Sequence, residues 1–149
     1  YRGNYTGRQG ESNIRKRPGY YYCQSGVIPF RKRKGKLELL MVTSTSRKRW
    51  VIPKGVKEPH LSLKKSAIKE AWEEAGVRGK VSRPAIGTYS YRKWGGTCTV
   101  EVFAMKVSKV VRDWEESFRD REWLSRREAL RRIKGKGLQR IVRQLPDLV

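Results

Sequence analysis

The sequence predicts an α/β fold, and three features of this 149-residue chain support that class. A strand-like segment, a glycine turn and an acidic helix follow one another within Trp50–Val77. β-Branched and aromatic residues around turn signals predict hairpins at 20–45 and 86–107. Helical spacing and caps predict two helices between Ser125 and Leu145. The length is that of one domain with a sizeable core.

The N-terminal region changes character near residue 20. Residues 1–19 are rich in Gly, Arg, Asn and Ser and show no periodicity, so we expect a basic flexible arm ahead of a domain at 20–149. Tyr20–Phe30 is predicted as a strand, Arg31–Lys36 as a turn, and Leu37–Thr45 as the returning strand.

The stretch Trp50–Val77 organises the rest of the chain. Its first three residues read as a strand, and Pro53-Lys54-Gly55 reads as a turn. Ser62 is the best N-cap for the helix that follows, and Gly76 ends that helix. This order of strand, glycine turn and acidic helix predicts a metal site held on a packed scaffold.

Three glutamates, Glu70, Glu73 and Glu74, fall within an arc of about 100° on this helix. Their mutual repulsion costs roughly 0.2–0.5 kcal/mol per pair, in a chain with 36 Lys and Arg but only 14 Asp and Glu. A divalent cation such as Mg²⁺ would offset that cost, and so would a basic neighbour of an amphipathic helix. The predicted buried stripe of the helix consists of Ile68, Ala71, Trp72 and Ala75, and the three acids are expected on the other, exposed side.

The second hairpin places strands at Ile86–Arg92 and Thr97–Val107 around the turn Lys93–Gly96. Trp94 in this turn either stacks on a ring of a ligand or packs within the hairpin.

An acidic and aromatic loop, Val110–Ser117, follows the hairpin and leads to a short strand at Arg121–Leu124. Its carboxylates either supply an outer metal ligand or a general base, or are simply solvated. These carboxylates are Asp113, Glu115 and Glu116.

The chain then turns helical. Ser125–Ile133 is predicted as a helix with Ser125 and Glu128 as its capping box, and Gly137–Leu145 as a short basic helix.

Residues 50–77 resemble the Nudix box: a glycine, five residues, a glutamate, seven residues, an Arg-Glu pair, an apolar residue and a Glu-Glu-x-Gly ending. Leu61 stands where the first glutamate is expected, and Lys69 replaces the arginine. Their joint replacement is expected to remove an acid–base pair, although Glu58 is a candidate for the missing acid. The matching positions are Gly55, Glu70, Ala71, Glu73, Glu74, Gly76 and Val77.

The resemblance implies an α/β/α sandwich with a mixed curved sheet and the catalytic helix packed beside it. It also implies a hydrolase of phosphoric anhydride bonds that uses Mg²⁺ or Mn²⁺ held by Glu70, Glu73, Glu74 and the backbone of Gly55. Either Glu70 or Glu74 would accept the proton of the attacking water.

The similarity extends over about Ser25–Ile133 and resembles the diphosphoinositol polyphosphate phosphohydrolase branch. The segments that carry it are Leu39–Val42, Thr43–Thr45, Val110–Ser117 and Arg121–Trp123. It implies cleavage of inositol pyrophosphates, dinucleoside polyphosphates or related compounds. The predicted substrate-binding residues are Arg47, Arg49, Lys54, Arg92 and Lys93.

The net charge of +22 favours polyanionic partners. A phosphate-rich small molecule is the first candidate, with non-specific nucleic-acid binding as a further one. The alternative function is a catalytically weakened Nudix-like domain that binds RNA or another polyanion. The two cysteines, Cys23 and Cys98, lack metal-ligand spacing and favour a reducing, cytoplasmic setting. No apolar run is long enough to span a membrane.

Overall fold

The computed structural model describes residues 15–149, so most of the predicted arm (1–19) lies outside the described residues. A 3₁₀ turn at Gly19–Tyr22 precedes the first strand, β1 (Cys23–Arg33). The predicted strand start at Tyr20 is therefore wrong by three residues. The Tyr21 N–H donates to the carbonyl of Pro18 at 3.0 Å, and this closes a tight turn in place of a ladder bond.

The remaining elements largely follow the predicted order. Strand β2 returns after a turn at Lys34–Gly35, and the second hairpin turns at Trp94–Gly95 as expected. The strands are β2 (Lys36–Thr43), β3 (Trp50–Val51), β4 (Lys54–Val56), β5 (Val77–Val81), β6 (Gly87–Lys93), β7 (Gly96–Val110) and β8 (Arg121–Ser125). The helices are α1 (Leu63–Glu70), which continues into a π-helical turn (Ala71–Ala75), α2 (Arg126–Arg132) and α3 (Lys136–Leu148).

All eight strands belong to one mixed sheet. Its main path runs β3-β2-β1-β7-β5, with β4 on β1, β6 on β7 and β8 on β2. Strand β1 is antiparallel to β2 and β4 but parallel to β7, with Val27 opposite Phe103. The pairing of Ser25 with Gly55 brings the predicted glycine turn onto the central strand.

Both faces of the sheet are buried, as the alternating directions of the side chains along β1 and β2 show. Ile28 and Leu39 point into a cluster completed by α2 and α3. Val27 and Leu40 point into a second cluster that includes Ala67 of α1. Successive residues of each strand therefore point to opposite faces of the sheet and pack into two separate cores. This arrangement confirms the sandwich of helices around a mixed sheet.

The predicted helix caps are confirmed. The Ser62 side chain accepts from the Lys65 N–H, and the Ser125 side chain accepts from the Glu128 N–H. Helix α3 extends beyond its predicted range of 137–145 in both directions. No helix among the described residues is long and apolar enough to cross a membrane.

Candidate active site

The glycine turn and the acidic helix meet at Gly55. A Cβ atom built on Gly55 would lie 2.4 Å from the carboxyl carbon of Glu70, closer than side chains approach one another. Strand β4 can therefore pass over the Glu70 carboxylate only because residue 55 has no side chain. This contact fixes the position of Glu70 from outside its own helix.

Glu74 lies beside Glu70 and is buried, so the prediction that all three acids occupy an exposed face is wrong. The π-helical turn widens the helix and directs Glu74 inward, where its Oε1 accepts the Lys54 N–H at 3.2 Å. The buried stripe consists of Ala67, Ala71 and Ala75, while the predicted Ile68 and Trp72 are only half-buried.

Glu70 and Glu74, called here the inner pair, lie close enough for each carboxyl group to shift the pKa of the other. Burial, followed by the Glu70 carboxylate, raises the pKa of Glu74 to about 8. Burial likewise raises the pKa of Glu70. Two carboxyl groups this close in a desolvated site cannot both ionise cheaply, so the pair retains a proton until a cation replaces it.

The third predicted acid, Glu73, points to a different set of partners. One oxygen from each of Glu73, Glu115 and Glu116 lies within 4.8 Å of the others. We call these residues the outer trio. The Glu116 N–H donates to the Glu73 carbonyl at 3.0 Å, which holds the acidic loop against the π-helical turn.

Lys69 retains an acidic partner despite the loss of a glutamate at position 61. Its ammonium lies 2.6 Å from Glu58 Oε2 and 3.0 Å from Glu73 Oε2. Both hydrogen bonds raise the pKa of Lys69. The expectation that the acid–base pair is removed is therefore wrong: the base is present, and the acid lies three residues earlier in the chain.

The end of the acidic helix is clamped by residues from distant parts of the chain. The Trp114 indole N–H donates to the Glu74 carbonyl at 2.9 Å, and Arg121 Nη1 donates to the Ala75 carbonyl at 2.6 Å. The Arg121 guanidinium also lies 3.9 Å from the centre of the Trp114 ring. Gly76, with φ +66°, leaves room for both side chains. These donors satisfy carbonyls that the helix end leaves free.

A cleft of about 560 Å³ opens beside the inner pair. Three of the five predicted substrate-binding residues line it: Arg49, Lys54 and Lys93. Sequence reasoning missed its other cations, Arg119 and Lys134. Nothing in their local sequence separates them from the other basic residues of the chain. The cleft is also lined by Glu74, Tyr89, Tyr91, Trp50 and Leu138.

The other two predicted residues do not line this cleft. Arg47 pairs with Asp120 at 2.7 Å on the surface, and Arg92 donates to the Thr97 hydroxyl at 3.0 Å along its own hairpin. Trp94 packs edge-on against the Tyr21 ring, with centroids 5.4 Å apart, so it supports the hairpin and not the cleft.

Lys54 connects the cleft to the acids. Its ammonium donates to the Tyr91 hydroxyl at 2.9 Å, and that hydroxyl donates to Gln24 at 2.9 Å. Burial lowers the pKa of Lys54, while the Glu74 carboxylate opposes that shift. A partly desolvated ammonium that has no salt bridge within residues 15–149 is suited to an anionic ligand.

Comparison with known proteins shows which family shares this sequence. The NUDIX domain family model matches residues 24–145. The chain is 34% identical over 142 residues to Nudix hydrolase 12, mitochondrial, of Arabidopsis thaliana, covering 80% of this chain and 70% of that protein. It is 33% identical over 117 residues to mouse diphosphoinositol polyphosphate phosphohydrolase 3-alpha, covering 76% and 70% respectively.

A solved structure shares the fold. Caenorhabditis elegans Ap4A hydrolase superposes with a TM-score of 0.72 at 22% identity, covering 84% of this chain and 96% of that one. The family model and the relatives above 30% identity both span most of the chain. The chain therefore belongs to the Nudix hydrolase family.

Proposed function

We propose that this protein is a metal-dependent pyrophosphohydrolase that cleaves a diphosphate linkage in a polyphosphorylated substrate. The observation that carries the proposal is the inner pair, in which the half-buried Glu70 adjoins the buried Glu74, and Glu74 lines a cleft that is also lined by cations. A cleft lined by both a carboxyl group and cations suits a substrate whose phosphates are bridged to carboxylates by a divalent ion.

The donor set fits Mg²⁺ or Mn²⁺. Both ions prefer carboxylate oxygens, and the inner pair and outer trio supply carboxylates from one helix and one loop. Ser25, the register partner of Gly55, adds a buried hydroxyl without a hydrogen-bond partner among residues 15–149. Glu70, Glu73 and Glu74, with the backbone of Gly55, would hold one or more ions, and Glu115 and Glu116 extend the set on the side of Glu73.

When bound, the ion would lower the pKa of a water molecule and neutralise charge on the phosphoryl oxygens. The protein itself would supply the proton acceptor and the groups that bind the phosphates. One member of the inner pair accepts the proton of the attacking water. Lys54, Arg49 and Lys93 bind the phosphates that remain, and they hold the scissile linkage against the acids.

The walls of the cleft favour a substrate that carries an aromatic base. The rings of Tyr89 and Tyr91 are inclined by 30° to each other, with centroids 6.4 Å apart, and Leu138 lines the same cleft. An inositol pyrophosphate presents phosphates in every direction and gains little from such a wall. A dinucleoside polyphosphate presents both phosphates and a base that stacks on aromatic rings.

The test is hydrolysis of a panel containing dinucleoside polyphosphates and inositol pyrophosphates with Mg²⁺ or Mn²⁺. The double variant Glu73→Gln plus Glu74→Gln should lose turnover and still bind substrate. The matched control is Glu38→Gln plus Glu128→Gln, which removes the same charge from two acids paired to arginines elsewhere. It should retain turnover.

Two results would contradict the proposal. If wild-type protein released nothing from any substrate but bound RNA with strong salt dependence, the chain would be a polyanion-binding domain. If the control variant lost as much turnover as the double variant, net charge and not the acidic site would explain the loss.

A further inference from the structure

We propose that Glu58 is a positioning residue for the acidic site, acting through Lys69 in the place of an acid at position 61. This inference rests on the proposed function for its effect on turnover. Its structural part, the placement of Glu73, is independent of which substrate is cleaved.

The contacts form a continuous bridge. The Lys69 ammonium lies between two carboxylates, 2.6 Å from Glu58 Oε2 and 3.0 Å from Glu73 Oε2. Glu73 is also the member of the outer trio that belongs to the acidic helix. Lys69 therefore connects the loop after β4 to a carboxylate that faces Glu115 and Glu116.

The backbone of Glu58 is anchored to the helix that it serves. Its N–H donates at 3.2 Å to the hydroxyl of Ser66, which is buried in α1. Since both the backbone and the carboxylate of Glu58 bind α1, its side chain approaches Lys69 from a fixed point. A solvated loop acid that met a lysine by chance would have no such backbone tie.

The structure also shows why Glu58 can replace an acid at position 61. The Leu61 N–H donates to the Glu58 carbonyl at 3.0 Å, which closes a turn over residues 58–61. The first and last Cα atoms of such a turn lie within about 7 Å of each other. A glutamate side chain from either end of this turn can reach the Lys69 ammonium.

Because Glu58 and Glu73 share the Lys69 ammonium, Glu58 affects how strongly that ammonium binds Glu73. With two acidic partners, Lys69 is held beside α1 and binds Glu73 through Oε2 alone. Without Glu58, the ammonium has Glu73 as its remaining salt-bridge partner among residues 15–149, and it would compete with a metal ion for that carboxylate. Glu58 therefore keeps Glu73 oriented and available.

The experiment compares wild type, Glu58→Gln and the double variant Glu58→Gln plus Leu61→Glu. Mn²⁺ affinity is measured by the electron paramagnetic resonance signal of the free ion, alongside kcat, KM and thermal denaturation. Glu58→Gln should lower both the Mn²⁺ affinity and kcat by about 10-fold, which is within the range found for groups that orient metal ligands. The KM should change little. The double variant should recover both, because the acid has moved to the other end of the same turn.

Glu122→Gln is the matched control for removal of one surface acid. Wild-type Mn²⁺ affinity in Glu58→Gln would overturn the inference, and so would a loss that Leu61→Glu does not repair. If wild type cleaves no polyphosphate but the Mn²⁺ affinities follow the expected order, the positioning role stands and the proposed reaction falls.

Discussion

The inner pair and the outer trio are adjacent acidic groups that the fold treats differently. Glu70 and Glu74 are partly desolvated, lie close to each other, and have no salt bridge among the described residues. In the outer trio, Glu73 binds Lys69 at 3.0 Å and Glu116 binds Arg119 at 2.8 Å. The inner pair therefore depends on a proton or an ion for neutralisation, whereas two members of the outer trio have protein cations.

This difference separates two kinds of contribution. The inner pair is fixed by the backbone of β4, so its geometry should tolerate little change. The outer trio includes two residues of a loop, so removal of one member should weaken the site and not abolish it. The following changes test that ranking.

The largest effect is expected for Gly55→Ala, which acts on the inner pair without touching its charge. The added methyl would overlap the Glu70 carboxylate, which must move by about 1 Å, a displacement that can reduce turnover about 10²-fold. Steady-state kinetics on the preferred substrate, with circular dichroism to show that the fold is kept, would measure this. Gly19→Ala is the matched control, because Gly19 does not line the cleft and a Cβ there meets no atom within 4 Å. Equal activity of the two variants would mean that Glu70 is not held as described.

The next largest effect is expected in the pH dependence of the free energy of unfolding, which the inner pair should dominate. The pKa of Glu74 is raised from 4.5 to about 8, so between these values the native protein without metal holds a proton that the unfolded chain has released. The free energy of unfolding should therefore fall as pH rises through this window, by roughly 1.4 kcal/mol per unit at most. Urea unfolding with a chelator at pH 5, 6, 7 and 8 measures this slope.

Glu74→Gln should flatten that dependence, since its side chain stays neutral at every pH. Mg²⁺ or Mn²⁺ should flatten it in the wild type as well, because an ion replaces the proton. A slope that is unchanged in Glu74→Gln would assign the effect to other groups.

A smaller loss is expected for Glu116→Gln than for Glu74→Gln. Glu116 contributes one oxygen to the outer trio and binds Arg119, so its neutralisation should lower kcat by roughly 10-fold. Glu115→Gln removes the exposed member of the trio and should cost less. If either variant is as inactive as Glu74→Gln, the division into inner pair and outer trio fails.

The smallest effect is expected for Trp114→Phe, which keeps the ring beside Arg121 but removes the indole N–H that binds the Glu74 carbonyl. The loss of one such hydrogen bond should lower the free energy of unfolding by about 1 kcal/mol. Chemical denaturation at constant pH measures it. A cost near zero would mean that Arg121 alone supports the helix end.

The sequence predicts the inner pair better than it predicts the environment of that pair. Spacing alone places Gly55, Glu70 and Glu74 on a turn and a helix that face each other. It does not show that the helix widens into a π-helical turn, because that change depends on packing of Ala71 and Ala75 against the sheet. Consequently the burial of Glu74 was missed.

Cations were predicted less well than acids. In a chain with 36 Lys and Arg, a basic residue near the site carries little information. Arg49 and Lys93 line the cleft as predicted, but Arg47 pairs with Asp120 instead. Lys134 lines the cleft because α3 packs on β6, a contact between segments about fifty residues apart that no local pattern encodes.

The clamp made by Arg121 has a consequence for biosynthesis. Glu70 and Glu74 are synthesised more than forty residues before Arg121, yet the carbonyl of Ala75 receives its guanidinium donor only once β8 has been made. A nascent or truncated chain that ends before Arg121 would contain both Glu70 and Glu74. The last turn of their helix would lack the hydrogen bond from the Arg121 guanidinium. Completion of the catalytic geometry is therefore expected to be a late event in synthesis.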